Sequence, residues 1–199
     1  MSVMSSVCLR SAAIGAGFLS LLAGTVAAAP DGLAATPTQQ SRAAAAVTTL
    51  KFVRNTSDPG NSRLAVVRGG RTVAVFRAGS GLGKNHEKGR KECAVGKGWL
   101  PAGTYSAGNR HTRYNGRIIK GYAIPLSNKK CEDRHTWRTE LFIHSEMTRT
   151  GGQGNIESQR WDGVNDYKSA GCIKLSPQDI KKLYRVLDQG AAPRQLTVG

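Results

Sequence analysis

A change of hydrophobic period near Leu175 constrains this chain more than any other feature. Beyond it, Ile180, Leu183, Tyr184 and Leu187 fall at i, i+3, i+4 and i+7, the single apolar face of a helix. Ser176 is a good N-cap, Pro177 suits the first helical position, and Asp179 stands three residues after the cap. Gly190 is the expected stop. Before Leu175 the apolar runs are short and strand-like. Residues 63–68 and 71–77 are two such runs joined by Gly69-Gly70, the composition that a tight primed hairpin turn requires. Residues 48–56, 116–126, 137–144 and 194–198 read as further strands, and Pro101 and Gly103 stand at turn spacing before another near Tyr105. The pattern predicts a mostly β domain with one or two helices and no internal repeat.

Two loops interrupt it. Residues 78–97, rich in glycine and lysine and holding His86, are expected to be mobile and solvated. Residues 147–168 form a long polar loop with Trp161 and Tyr167. Connections of that length without structure of their own are usually functional or disordered.

The N-terminus reads as an address. Arg10 is the only charge before the apolar run from Ala12 to Ala23, and small residues cluster at Val26-Ala27-Ala28-Ala29. This is the pattern of a secretory signal over residues 1–29, and the run is too short to span a bilayer. Residues 30–47 hold little to bury and are expected to be a flexible linker. Residues 48–199 then form one domain with a core of its own. The net charge of +16, from 29 basic and 13 acidic residues, implies anionic partners. Export argues against nucleic acid and for the polymers of a bacterial wall, with no stable membrane anchor. The mature protein is expected to be secreted or extracytoplasmic, wall-associated and monomeric.

Removing residues 1–29 takes Cys8 and leaves Cys93, Cys131 and Cys172, an odd number in an oxidising compartment. Cys93 and Cys131 both lie in polar, loop-like surroundings. Pairing them would be worth about 3.9 kcal/mol in the chain-entropy model and would leave Cys172 free, although connectivity is not fixed by spacing.

Cys172 sits in Ser169-Ala170-Gly171-Cys172-Ile173-Lys174-Leu175. A glycine before it admits close backbone approach, and the two amides there are placed to face a developing oxyanion; the alternative is a structural cysteine in a strand. A nucleophilic cysteine needs a base to make thiolate. Of four histidines, His86, His111 and His135 lie in polar turns, whereas His144 ends the apolar strand run Leu141-Phe142-Ile143. Its alternative role is a core histidine bonded to backbone. The scattered Cys and His give no metal-ligand spacing, and no cofactor is implied.

Taken in order, Gly79-Ser80-Gly81, Pro101-Ala102-Gly103-Thr104-Tyr105, Ile143-His144-Ser145 and the cysteine heptapeptide resemble the catalytic domain of L,D-transpeptidases of the YkuD type. The resemblance covers about residues 50–198. It implies a mixed β-sandwich that cross-links or edits peptidoglycan stem peptides through a cysteine thioester, releasing terminal D-alanine. Matched onto this chain, Cys172 is the nucleophile, His144 the base, and the Ser145 carbonyl orients the imidazole. The Gly171 and Cys172 amides form the oxyanion hole, and Ser169 and Lys174 face substrate. Trp161 and Tyr167 either stack on substrate or pack the loop.

In three places the chain departs from that pattern. Ala170 stands where the family carries a second histidine, the His144–Cys172 spacing of 28 implies an insertion, and Lys174 stands where arginine is common. Water as acceptor would make the protein a carboxypeptidase or wall-degrading toxin. A structural Cys172 would make it a non-catalytic, basic wall-binding module.

Overall fold

The computed structural model describes residues 46–199. The expected signal and most of the expected linker lie outside the described residues. The chain runs through β1 (Thr48–Val53), β2 (Ser62–Arg68), β3 (Arg71–Ala78), β4 (Gly103–Ser106), β5 (His111–Asn115), β6 (Lys120–Pro125), β7 (Lys129–Lys130), β8 (Trp137–Arg138), β9 (Phe142–His144), β10 (Ile173–Lys174), α1 (Pro177–Asp188) and β11 (Gln195–Val198). It is mostly β with a single α-helix among the described residues.

The expected hairpin is β2–β3. Gly69 (φ +56°) and Gly70 (φ +78°) both sit in the left-handed region, as the primed turn demands. With β1, β11 and β4 the hairpin builds a five-stranded sheet in the order β3-β2-β1-β11-β4. A second sheet runs β10-β9-β6-β5. Both sheets are mixed, since β1 is parallel to β11 and β9 is parallel to β10. Leu50, Phe52, Leu64 and Val66 of the first sheet join Ile124, Ile143 and Ile173 of the second in one hydrophobic core. The helix adds Ile180, Leu183 and Leu187 to that core, the face its periodicity predicted.

Sequence and structure part in four places. The strand expected over 116–126 begins at Lys120, because the preceding residues turn: Gly116 N–H donates to Ile119 O at 3.0 Å. Its hairpin partner β5 is an unexpected edge strand whose side chains are largely exposed. The run over 137–144 is two strands, because Glu140 takes a left-handed φ of +54°. Trp137–Arg138 pairs with Lys129–Lys130, and Phe142–His144 enters the central sheet. At the helix end, Gln189 caps with φ −81°. Gly190 is outside the left-handed region and serves packing: a β-carbon there would stand 2.6 Å from Arg68 Nε.

Neither loop runs free. Leu82 N–H donates to Lys97 O at 3.0 Å, closing the 82–97 segment, and the Cys93–Cys131 disulfide ties it to the β7–β8 hairpin. Cys172 is the free cysteine among the described residues. The 147–168 loop contains two 3-10 turns, Glu157–Gln159 and Val164–Tyr167, and Asp166 Oδ2 accepts the amides of Asp162 (2.7 Å) and Gly163 (2.8 Å). Replacing Cys93 and Cys131 together by serine is expected to lower unfolding free energy by about 2–4 kcal/mol. Urea denaturation checks this, and a loss well under about 1 kcal/mol would contradict it.

Candidate active site

The site follows from one short parallel pairing. Ile143 lies opposite Ile173 and His144 opposite Lys174. Both isoleucines are fully buried in the core. Side chains alternate across a strand, so His144, Lys174 and Cys172, which directly precedes β10, belong to the other face. Cys172 is 8% and His144 7% exposed.

The Gly79-Ser80-Gly81 fragment lies against the cysteine segment. Gly79 and Lys174 exchange both backbone hydrogen bonds at 2.9 Å. Gly81 O accepts Ser169 N–H at 2.9 Å, and Ser80 Oγ accepts the amide of Leu100 at 2.9 Å. Gly171 has φ +125°, and a β-carbon on it would land on the Arg138 guanidinium. Only glycine fits there.

His144 Nδ1 lies 3.1 Å from Ser145 O. A carbonyl only accepts, so Nδ1 carries the proton and Nε2 keeps its lone pair. The Ser145 carbonyl is the partner of the imidazole, and its hydroxyl is buried without a hydrogen bond among the described residues.

Three expectations change. Ser169, read as facing substrate, is buried, and its hydroxyl donates to Cys172 O (2.6 Å) while accepting the amides of Gly81 and Gly171 (3.2 Å each). It staples the cysteine loop. The Gly171 amide is thereby engaged, so it does not face an oxyanion. Lys174, also read as facing substrate, is buried in an ion pair with Glu146.

The remaining candidates lie elsewhere. Trp161 and Tyr167 pack edge to face, 4.8 Å apart, and the Arg77 guanidinium covers the Tyr167 ring at 4.2 Å. His111 and His135 are exposed and His86 is half-buried. Cys93, Cys131 and Asp133 gather within 4.8 Å, but both sulfurs are joined in the disulfide, so the group offers no thiolate to a metal. A surface cleft of about 920 Å³ is lined by Tyr122, Tyr184 and Arg110, away from Cys172.

Two site residues escaped the sequence reading. Arg138 is 2% exposed, with its guanidinium donating to Ala170 O at 2.9 Å. Glu146 is the partner of Lys174. A cation alternating with apolar residues in a strand run was the available signal for Arg138; nothing marked Glu146.

The family model for the L,D-transpeptidase catalytic domain, YkuD, matches residues 56–196. The chain belongs to this family. Among solved structures it is similar to the helical cell shape determining protein Pgp2 from Campylobacter jejuni (16% identity, TM-score 0.46, covering 77% of this chain and 49% of that one). L,D-transpeptidase 1 of Mycobacterium tuberculosis is another (15%, TM-score 0.39, covering 76% and 62%). An L,D-transpeptidase from strain H37Rv of that organism is a third (16%, TM-score 0.40, covering 76% and 58%). The chain spans about half to three-fifths of the length of these structures. Comparison with curated proteins returned no match.

In this YkuD domain His144 and Cys172 are both held toward their neutral forms. Burial, the Lys174 charge and, in the opposite sense, the Ser145 carbonyl act on His144, and its pKa falls to about 3. Burial pushes the Cys172 thiol up to about 11, against the pull of the Phe142 amide, Lys174 and Arg138. Between about pH 6.5 and 3 the unfolded chain binds a proton that native His144 does not, so stability falls on acidification. The thiol acts on the alkaline side, where stability falls as pH rises from about 9 toward 11. His144→Gln is expected to lose less stability than the parent between about pH 6.5 and 4 in chemical denaturation. Equal acid slopes would contradict the burial of a neutral imidazole.

Proposed function

We propose that this domain is an exported cysteine L,D-transpeptidase acting on peptidoglycan stem peptides, with residues 1–29 as its removable signal and residues 30–47 as a linker. The observation that carries this is the parallel register that sets His144 and the Cys172 strand side by side, with Nδ1 of His144 on Ser145 O. Membership of the YkuD family supplies the substrate class. No helix among the described residues is long and apolar enough to cross a membrane, and the net charge of +16 suits a polyanionic wall.

In this reading Cys172 Sγ attacks the carbonyl of the third stem residue while its proton passes to His144 Nε2. Proton transfer accompanies attack, because burial favours the neutral form of both the thiol and the imidazole. The Cys172 amide faces the oxyanion. Collapse expels D-alanine, whose amine takes the proton back from the imidazolium, leaving a thioester. A second stem's amine then attacks and gives its proton to His144, which passes it to the departing sulfur, so that the thiol is restored as the new amide forms.

The test is to incubate the protein with tetrapeptide stems and follow Cys172 by mass spectrometry. An acyl adduct with D-alanine release is expected, absent in Cys172→Ala and formed about 10²–10⁴ times more slowly in His144→Ala. D-alanine release that survives Cys172→Ala, or no adduct on the parent, would overturn the reading. An amine acceptor separates transfer from hydrolysis, and water alone as acceptor would make the enzyme a carboxypeptidase.

A further inference from the structure

Arg138 is the most fully buried charged residue on this site's side of the molecule, 2% exposed, and it is bound only by neutral groups. Nη1 donates to Glu92 O and to Trp99 O (3.1 Å). Nη2 donates to Gly98 O (3.1 Å) and Ala170 O (2.9 Å). Of the other buried or half-buried cations nearby, Lys174 is paired with Glu146 and Arg54 with Glu92, while half-buried Lys129, opposite Arg138 on β7, lies over the Tyr105 ring. Arg138 makes no ion pair within 4.0 Å among the described residues. Arginine does not shed its proton, so this is a standing charge in a buried place, which is costly unless something nearby makes use of it.

What lies nearby is the cysteine loop. The guanidinium presses on Gly171, where a β-carbon would collide with it, and holds the carbonyl of Ala170. The charged and titratable groups facing Cys172 are Arg138, Lys174 and the exposed Glu140, with His144 on the facing strand. Lys174 is balanced by Glu146; Arg138 is balanced by nothing comparable. Glu92 and Tyr105 are the other titratable groups facing it, and the Glu92 carboxylate is engaged by Arg54 and the Ala102 amide. The Cys93–Cys131 disulfide ties the segment bearing three of the four acceptors to the hairpin that ends in Arg138.

We propose that Arg138 is a positioning residue for Cys172: its fork fixes the Ala170–Gly171 backbone, and its unpaired charge favours the thiolate and the anionic tetrahedral intermediate. The proposal rests on the reading of Cys172 as the nucleophile. When the thiol proton passes to His144, the negative charge left on Sγ, and then on the substrate oxygen, finds a cation already in place, with no reorganisation needed.

The test is alkylation of Cys172 by iodoacetamide as a function of pH in the full chain, read by mass spectrometry on the Cys172 peptide. Arg138→Gln is expected to raise the midpoint by about one pH unit, seen as about tenfold slower alkylation below it. Arg138→Lys keeps the charge without the fork. It is expected to hold the midpoint near the parent's while lowering kcat for acyl transfer with KM little changed. A purely structural arginine would leave the glutamine midpoint unmoved, and that result overturns the proposal. Should the glutamine variant fail to fold, lysine decides alone: a midpoint shifted upward in it contradicts the proposal. Alkylation needs no stem peptide, so the outcome stands apart from whether the protein transfers acyl groups.

Discussion

The parallel pairing of two short strands is the constraint on which this structure depends. Two residue pairs, Ile143 with Ile173 and His144 with Lys174, fix β9 against β10. One face of the pairing is sealed into the hydrophobic core by the isoleucines. A slip of one residue would exchange faces and put His144 and Lys174 into the core. The helix that follows at once, capped by Ser176 and buried through Ile180, Leu183 and Leu187, anchors the far end of the same segment. His144, Lys174 and the preceding Cys172 are thus positioned by apolar packing behind them.

On the open face the chemistry is governed by burial. Imidazole and thiol are both pushed toward their neutral forms, which distinguishes this site from one that keeps a standing thiolate–imidazolium pair. The surrounding charges temper this unevenly. Lys174, where the family commonly has arginine, is neutralised by Glu146 at the start of the long insertion. Ala170, where the family has a second histidine, contributes only its carbonyl, and that carbonyl is held by Arg138.

Much of this was legible because it is local. Gly69-Gly70 allows little but a primed turn, and the Ser176-Pro177 cap with its apolar period allows little but a helix. Polar surroundings and an odd count favoured pairing Cys93 with Cys131 without fixing it, and His144 stood out by ending an apolar run. What stayed hidden depends on the third dimension. The β5 strand, His111–Asn115, shows no alternation because an edge strand with exposed side chains needs none. Glu140 in a left-handed conformation breaks a run that reads as continuous. Ser169 and Lys174 have the chemistry of ligand-facing groups, and only packing shows their polar atoms turned inward. Arg138 and Glu146 read as surface charges, since burial of a charge is decided by partners distant in sequence.

His144 rests as a neutral imidazole with its proton on Nδ1 and its lone pair on Nε2, and Cys172 as an un-ionised thiol. Nitrogen NMR of the His144 ring at neutral pH tests it most directly. A protonated Nδ1 and an unprotonated Nε2 are expected, unchanged when Cys172 is replaced by alanine. A doubly protonated ring in the resting protein, reverting to neutral in Cys172→Ala, or a proton on Nε2 alone, would contradict it.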